Sequence, residues 1–157
     1  MKADQFVLRF GPKFRAENVD RMRVKLGQCL EHQGVTGTAG HMIMSMADEL
    51  ICNIMEHSHA NWVEVELQLR PESGQVVLLL RDDGVPFDPG EINKQALPKE
   101  GLKHGGDRHL GLYLVSRIAT SWKYSRTNDG TVNELELVVD KRSPSPAKKP
   151  SRPKKPV

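Results

Sequence analysis

Two hairpins constrain the architecture of this chain more than any other feature. Residues Trp62 to Leu69 (WVEVELQL) alternate apolar and polar with period two, as a half-buried strand does. Pro71 to Gly74 make a turn, and Val76 to Leu80 form a continuous apolar run suited to a fully buried strand. Further on, Trp122 to Thr127 and Thr131 to Val139 flank Asn128-Asp129-Gly130, whose Asp-Gly step is a strong hairpin signal. Connections this short join only antiparallel neighbours, since a parallel pair needs a crossover of about a dozen residues or more.

The remaining segments must pack on those strands. Gln5 to Phe10 alternates loosely as a short strand and stops at Gly11-Pro12. Arg15 to Gln33 carries Val19, Met22, Leu26 and Leu30 at helical spacing, and Gly34 ends it. Thr38 is placed to cap a second helix reaching about His57, with Ile43, Ala47, Leu50, Ile51 and Ile54 on its apolar side. From Asp82 to Gly106 the periodicity vanishes among repeated Gly and Pro residues, and a loop of that length inside a domain points to function. Leu110 to Ala119 resumes as a helix, with Leu110, Leu114, Val115 and Ile118 inward. This order excludes a doubly wound fold. It predicts an α+β protein: a two-layer α/β sandwich with one mixed, mostly antiparallel sheet and its helices on one face. The expected domain spans 1–140, and the Pro-, Lys- and Ser-rich segment 141–157 is predicted to be a disordered tail.

Charge divides the chain at the same boundary. The formal net charge of +3 conceals seven basic residues from Lys141 onward with no acid among them. The remaining 16 basic side chains face all 20 acidic ones, a net of −4 for the body. A mildly acidic body argues against sequence-independent nucleic-acid binding by the domain, and no specific nucleic-acid partner is expected. Weak, salt-sensitive contact through the tail is the one nucleic-acid reading that remains. The longest apolar run, Val76 to Leu80, falls far short of the roughly 20 residues a membrane helix needs. Lys2, Asp4 and Arg9 precede any apolar run, so no secretory leader is expected. Cys29 and Cys52 have neither metal-ligand nor CxxC spacing and read as buried thiols of a reducing cytoplasm.

Four features carry possible chemistry. Glu49 and Asn53 lie four apart on the second predicted helix, beside its apolar face, with His57 one turn later. The amide oxygen of Asn53 suits Mg²⁺, a hard cation completed by waters and phosphates, and the Glu49 carboxylate can orient a nucleophile. The same pair equally describes an ordinary polar flank. Asp82-Asp83-Gly84 follows directly from a buried strand, where Asp82 can accept from an adenine amino group and Gly84 leaves room for the base. Asp-Gly is also among the commonest turn dipeptides. Gly105-Gly106-Asp107-Arg108-His109 opens a helix whose free N–H groups attract phosphate, with Arg108 available to a terminal phosphate. Gly130-Thr131 begins the last strand, and the Thr131 hydroxyl is either a phosphate contact or an ordinary strand residue.

In that order and spacing, over roughly Met42 to Val139, the four segments resemble the GHKL family of ATPases. Glu49-Leu-Ile-Cys-Asn53 resembles its N box, Asp82-Asp83-Gly84 its G1 box, Gly111-Leu-Tyr-Leu-Val115 its G2 box, and Gly130-Thr131 its last box. Pro86-Phe87 and the Glu49…Asn53…His57 pattern are similar to the anti-sigma-factor serine kinases of bacterial partner-switching systems. With Glu49 so near residue 1, no preceding paired-helix phosphoacceptor module is expected.

The resemblance implies a Bergerat-type ATP site. Glu49 would be the general base that activates a partner serine for attack on the γ-phosphate of ATP, and Asn53 would hold Mg²⁺. Asp82 would read adenine beside Gly84, with Thr131 near Asp82. Gly106, Arg108, Gly111 and Leu112 would belong to the lid over ATP or ADP, and His57 would make a cleft-edge or packing contact. The implied partners are an anti-anti-sigma (STAS-type) antagonist and a sigma factor, and the implied assembly is a homodimer through the first strand and first helix. One departure stands out: His109 occupies a position where the family often has glycine, which bears on nucleotide affinity and lid closure. A module that exchanges partners without using nucleotide is the competing reading.

Overall fold

The computed structural model describes residues 5–11, 16–86 and 118–141. Its elements run β1 (Gln5–Phe10), α1 (Ala16–His32), α2 (Gly37–His57), β2 (Val63–Arg70), β3 (Gln75–Asp82), β4 (Ser121–Thr127) and β5 (Val132–Asp140). The five strands form one sheet in the order β1-β2-β3-β5-β4. All four pairings are antiparallel, so the sheet expected as mixed contains no parallel pair among the described strands. The predicted α+β sandwich is the observed one.

Period two sorts the sheet into two faces. Val63, Val65 and Leu67 of β2, Val76, Leu78 and Leu80 of β3, and Leu135, Leu137 and Val139 of β5 all enter the main core. Val19, Met22, Leu26 and Leu30 of α1 meet them, as do Ile43, Met46, Ala47, Leu50 and Ile51 of α2. A second, small apolar cluster of Val77, Leu79 and Val138 occupies the opposite face. Strand β3 is therefore apolar on both sides, which explains why its sequence shows a run instead of an alternation.

Two boundaries near the site differ from the sequence reading. Helix α2 begins at Gly37 and its N-cap is Thr36, which makes no side-chain cap hydrogen bond, so Thr38 lies inside the first turn. Strand β3 continues two residues past Leu80, because Arg81 and Asp82 still pair with Glu64 and Val63 on β2 and with Glu134 and Asn133 on β5. The β4–β5 turn follows expectation, with Asn128, Asp129 and Gly130 all at positive φ. The helix expected over Leu110 to Ala119 lies, apart from Ile118 and Ala119, outside the described residues, as does the segment 142–157. Neither Cys29 nor Cys52 forms a disulfide, and both are half-buried. No helix among the described residues is long and apolar enough to cross a membrane.

Candidate functional site

Two inward-facing rows end in polar residues at the same place. On β3 the row Val76, Leu78, Leu80 terminates in Asp82, and on β5 the row Val139, Leu137, Leu135 terminates in Asn133. Asp82 and Asn133 are cross-strand partners, each exposed by 5 % or less. A carboxylate set where a leucine is due costs stability unless it is hydrogen-bonded. Here it is.

Asp82 Oδ1 accepts from the Gly84 N–H at 2.8 Å and from Asn133 Nδ2 at 3.1 Å. Asn133 Nδ2 also reaches the Gly84 and Val85 carbonyls at 3.1 and 3.0 Å, which ties the loop after β3 to β5. Its Oδ1 in turn accepts from Tyr124 Oη at 2.8 Å and Arg126 Nη1 at 3.0 Å. Burial pushes the Asp82 carboxyl above its ordinary 3.8, against the opposing hydrogen bonds from Asn133 and Gly84.

These residues border a cavity that opens to solvent between the C-terminal half of α2 and the sheet. Its walls are apolar (Leu50, Ile54, Leu80, Leu135), and Asn53, His57, Asp82, Tyr124 and Asn133 supply the polar groups. An apolar cavity with a few convergent polar atoms suits a partly polar ring. His57 stands at the rim with its side chain 41 % exposed, 3.6 Å from Glu56, in keeping with a cleft-edge contact. Asn53 Nδ2 is buried with no hydrogen-bond partner among the described residues. Among those residues no cluster of His, Cys, Asp or Glu is equipped to hold a metal alone. An unpartnered amide N–H can donate to a phosphate oxygen, and a site with no carboxylate cage fits Mg²⁺ bound largely through phosphate and water oxygens.

The loop joining α2 to β2 is fastened to the loop after β3. Ser58 accepts at its carbonyl from the Val85 N–H, and its hydroxyl bonds back to Ile54 O and accepts from the Ala60 N–H. His59 takes a positive φ of 54° between them. Asp83 accepts from the Asn61 and Trp62 N–H groups at 2.8 and 3.1 Å. Burial works to raise the Asp83 carboxyl, but the Trp62 and Asn61 donors outweigh it and hold it below its ordinary value.

Of the residues singled out from sequence, the cavity brings together Asn53, Asp82 and His57. Glu49 lies one turn before Asn53 on α2, about 6 Å further along the axis, and does not line the cavity. The clearance that glycine provides at 84 is filled by protein: a Cβ there would sit 2.5 Å from Ser58 O and 2.6 Å from its Oγ. The expectation that this space admits a base is corrected accordingly, since close packing of the two loops is what demands glycine. Thr131 is exposed, and its hydroxyl donates to Asn128 O at 2.6 Å within the turn. The residue facing Asp82 is Asn133, two positions later. Gly106, Arg108, His109, Gly111 and Leu112 lie outside the described residues. Sequence reasoning missed Asn133, Tyr124 and Ser58. The signal for Asn133 was available, as a lone amide on the otherwise apolar face of an alternating strand.

Comparison with known proteins adds family and fold. The family described as a histidine kinase-like ATPase domain matches residues 13–138. Among solved structures, one similar chain comes from the SiaB-SiaC complex of Pseudomonas aeruginosa, at 13% sequence identity and a TM-score of 0.52. The match covers 84% of this chain and 88% of that one. A search of the curated proteins found no match.

Proposed function

The chain belongs to the histidine kinase-like ATPase family, and on that premise we propose that it is an ATP-dependent serine protein kinase and anti-sigma factor of a bacterial partner-switching system. The observation that carries the reading is the order of groups along α2 and the sheet. Asp82 and His57 mark one end of the cavity, Asn53 comes one turn back, and Glu49 one turn further. A nucleotide lying along that line has its base against Asp82, its phosphates over Asn53 and its terminal phosphate toward Glu49.

Each residue has a defined task in this arrangement. Asp82 Oδ2, the oxygen to which no described residue donates, accepts from the exocyclic amine of adenine. Leu50, Ile54, Leu80 and Leu135 exclude water around the ring. Asn53 would hold Mg²⁺ through its amide oxygen, and Gly106, Arg108, Gly111 and Leu112 would contact the phosphates. The metal supplies charge neutralisation on the phosphates. Glu49 orients and deprotonates the incoming serine hydroxyl, which becomes bonded to the γ-phosphorus as ADP leaves. Its place outside the cavity agrees with a group that meets a second protein.

The partners in this reading are an anti-anti-sigma (STAS-type) antagonist, which receives the phosphate, and a sigma factor. The similar chain solved within a two-protein complex supports an assembly of this kind. A homodimer through the first strand and first helix completes this reading.

Incubation with ATP, Mg²⁺ and the cognate antagonist, followed by phosphosite mass spectrometry, tests the kinase. The expected product is a serine phosphate on the antagonist, lost in Glu49→Ala while ADP binding persists. An unmodified antagonist in the presence of bound ADP rules out phosphoryl transfer. Absence of any ADP binding at millimolar concentration leaves partner exchange without nucleotide as the function.

A further inference from the structure

We infer that Asn133 sets which purine this site accepts: by donating to Asp82 Oδ1 it keeps that carboxylate a hydrogen-bond acceptor, so that a 6-amino purine is taken and a 6-oxo purine refused. The inference rests on the nucleotide reading above and goes beyond it, because Asn133 need never touch the base.

The amide cannot be turned the other way. Tyr124 Oη and Arg126 Nη1 both donate to Asn133 Oδ1, so its nitrogen must face Asp82 Oδ1 and the carbonyls of Gly84 and Val85. Both lone pairs of Oδ1 and both protons of Nδ2 are thereby committed, which leaves this side chain nothing to offer a ligand. It acts through Asp82 as a positioning residue.

Its effect follows from carboxyl chemistry. An ionised carboxylate only accepts, which matches the amine at position 6 of adenine. A protonated carboxyl donates, which matches the oxo group at position 6 of hypoxanthine. Base choice and protonation of Asp82 are therefore one equilibrium. Burial favours the neutral acid, and the Asn133 hydrogen bond is the first force opposing it. The other groups facing Asp82 are Asp83 beside it, which favours protonation, Arg126 on β4, which opposes it, and His57 and Tyr124 across the cavity.

The test is calorimetric titration of the full chain with ADP and with inosine 5′-diphosphate between pH 8 and pH 5.5. The wild type is expected to prefer ADP by about tenfold or more throughout. Asn133→Leu removes the donor, and the isosteric Asn133→Asp removes it while still accepting from Tyr124 and Arg126. In both, the preference is expected to shrink by about tenfold or more on acidification, ADP weakening while the inosine nucleotide gains. Asn133→Thr, whose hydroxyl can donate in the same direction, is expected to restore a flat profile. A folded Leu or Asp variant that keeps the wild-type ratio at every pH overturns the inference, as does a wild-type ratio that collapses on acidification. A wild-type chain that takes up neither nucleotide overturns the nucleotide reading, and this one with it.

Discussion

Arg81 and Asp82 are neighbours on β3 whose side chains emerge on opposite faces of the sheet, and the molecule treats them in opposite ways. Arg81 is surrounded: its guanidinium meets Glu64 at 2.9 Å, Glu66 at 2.7 Å and Glu134 at 2.7 Å. Burial alone would lower the Arg81 pKa, but the three carboxylates raise it well above its ordinary value. Glu66 is returned the favour, since Gln68, Arg81 and Gln5 all donate to it and hold it below 4.5 despite its burial. Among the described residues Asp82 receives only amide donors, both on one oxygen, and it faces an open cavity. A charge whose every partner is protein stabilises a fold. A charge left half-matched at a cavity wall marks a candidate ligand site.

The sharpest way to break this comparison is to remove the matched partner. Arg81→Leu leaves Glu64, Glu66 and Glu134 together without their cation. The expected loss is about 2–4 kcal/mol of unfolding free energy, somewhat below the figure for a fully buried pair because the Arg81 side chain is a quarter exposed. Urea denaturation measures it, and ADP affinity of the folded fraction is expected to stay within about twofold of wild type. Asp82→Asn is the converse. It is expected to weaken ADP by about 1–3 kcal/mol, since the amide mispairs with the adenine amine. Unfolding free energy is expected to rise by up to about 1 kcal/mol, because the substitution removes a charge the fold holds at a cost. An Asp82→Asn protein that loses stability and keeps ADP affinity would reverse the assignment of the two residues.

Gly84→Ala probes the Asp82 side without altering charge. The new Cβ meets the Ser58 carbonyl and side chain, so the two loops must separate. The expected cost is about 1–2 kcal/mol in thermal unfolding, with a smaller fall in ADP affinity as Asp82 loses the Gly84 N–H. Alanine accepted at no cost in melting temperature would mean that the loops are not locked together.

How much of this was legible beforehand follows from the range over which each signal acts. Hairpins and helices are set by local periodicity and turn chemistry, so WVEVELQL and Asn128-Asp129-Gly130 announce themselves. Asn53, Asp82 and His57 could be placed because helical spacing and a strand terminus define their neighbourhoods. The partner of Asp82 could not, because the Asp82–Asn133 pairing depends on strand register across 51 residues of sequence. Thr131 is two positions from the residue that does the contacting, and no local rule distinguishes them. Gly84 shows a further limit. The sequence reveals that a side chain is excluded there, but only the fold reveals that Ser58 is what excludes it.

The smallest expected effect is also the one in which the two sides of the sheet oppose each other directly. Glu66 and Asp83 have folded pKa values below their ordinary 4.5 and 3.8. Their contribution to stability is complete above those ordinary values and is lost as pH falls through the lower folded ones. Asp82 has the opposite sign. Its folded pKa lies above 3.8, so the native state binds the proton more tightly and stability rises as pH falls through that value toward 3.8. The wild type should therefore hold or slightly gain stability from neutral pH down to the ordinary carboxylate range, and lose it below. In Asp82→Asn the first limb is absent while the second persists. Measured by urea denaturation across that range, the advantage of the variant at pH 7 should shrink steadily as the buffer is acidified, by up to about 1 kcal/mol. An advantage that stays constant with pH would mean that Asp82 titrates alike in the folded and unfolded chain, and that its burial beside Asn133 does not perturb it.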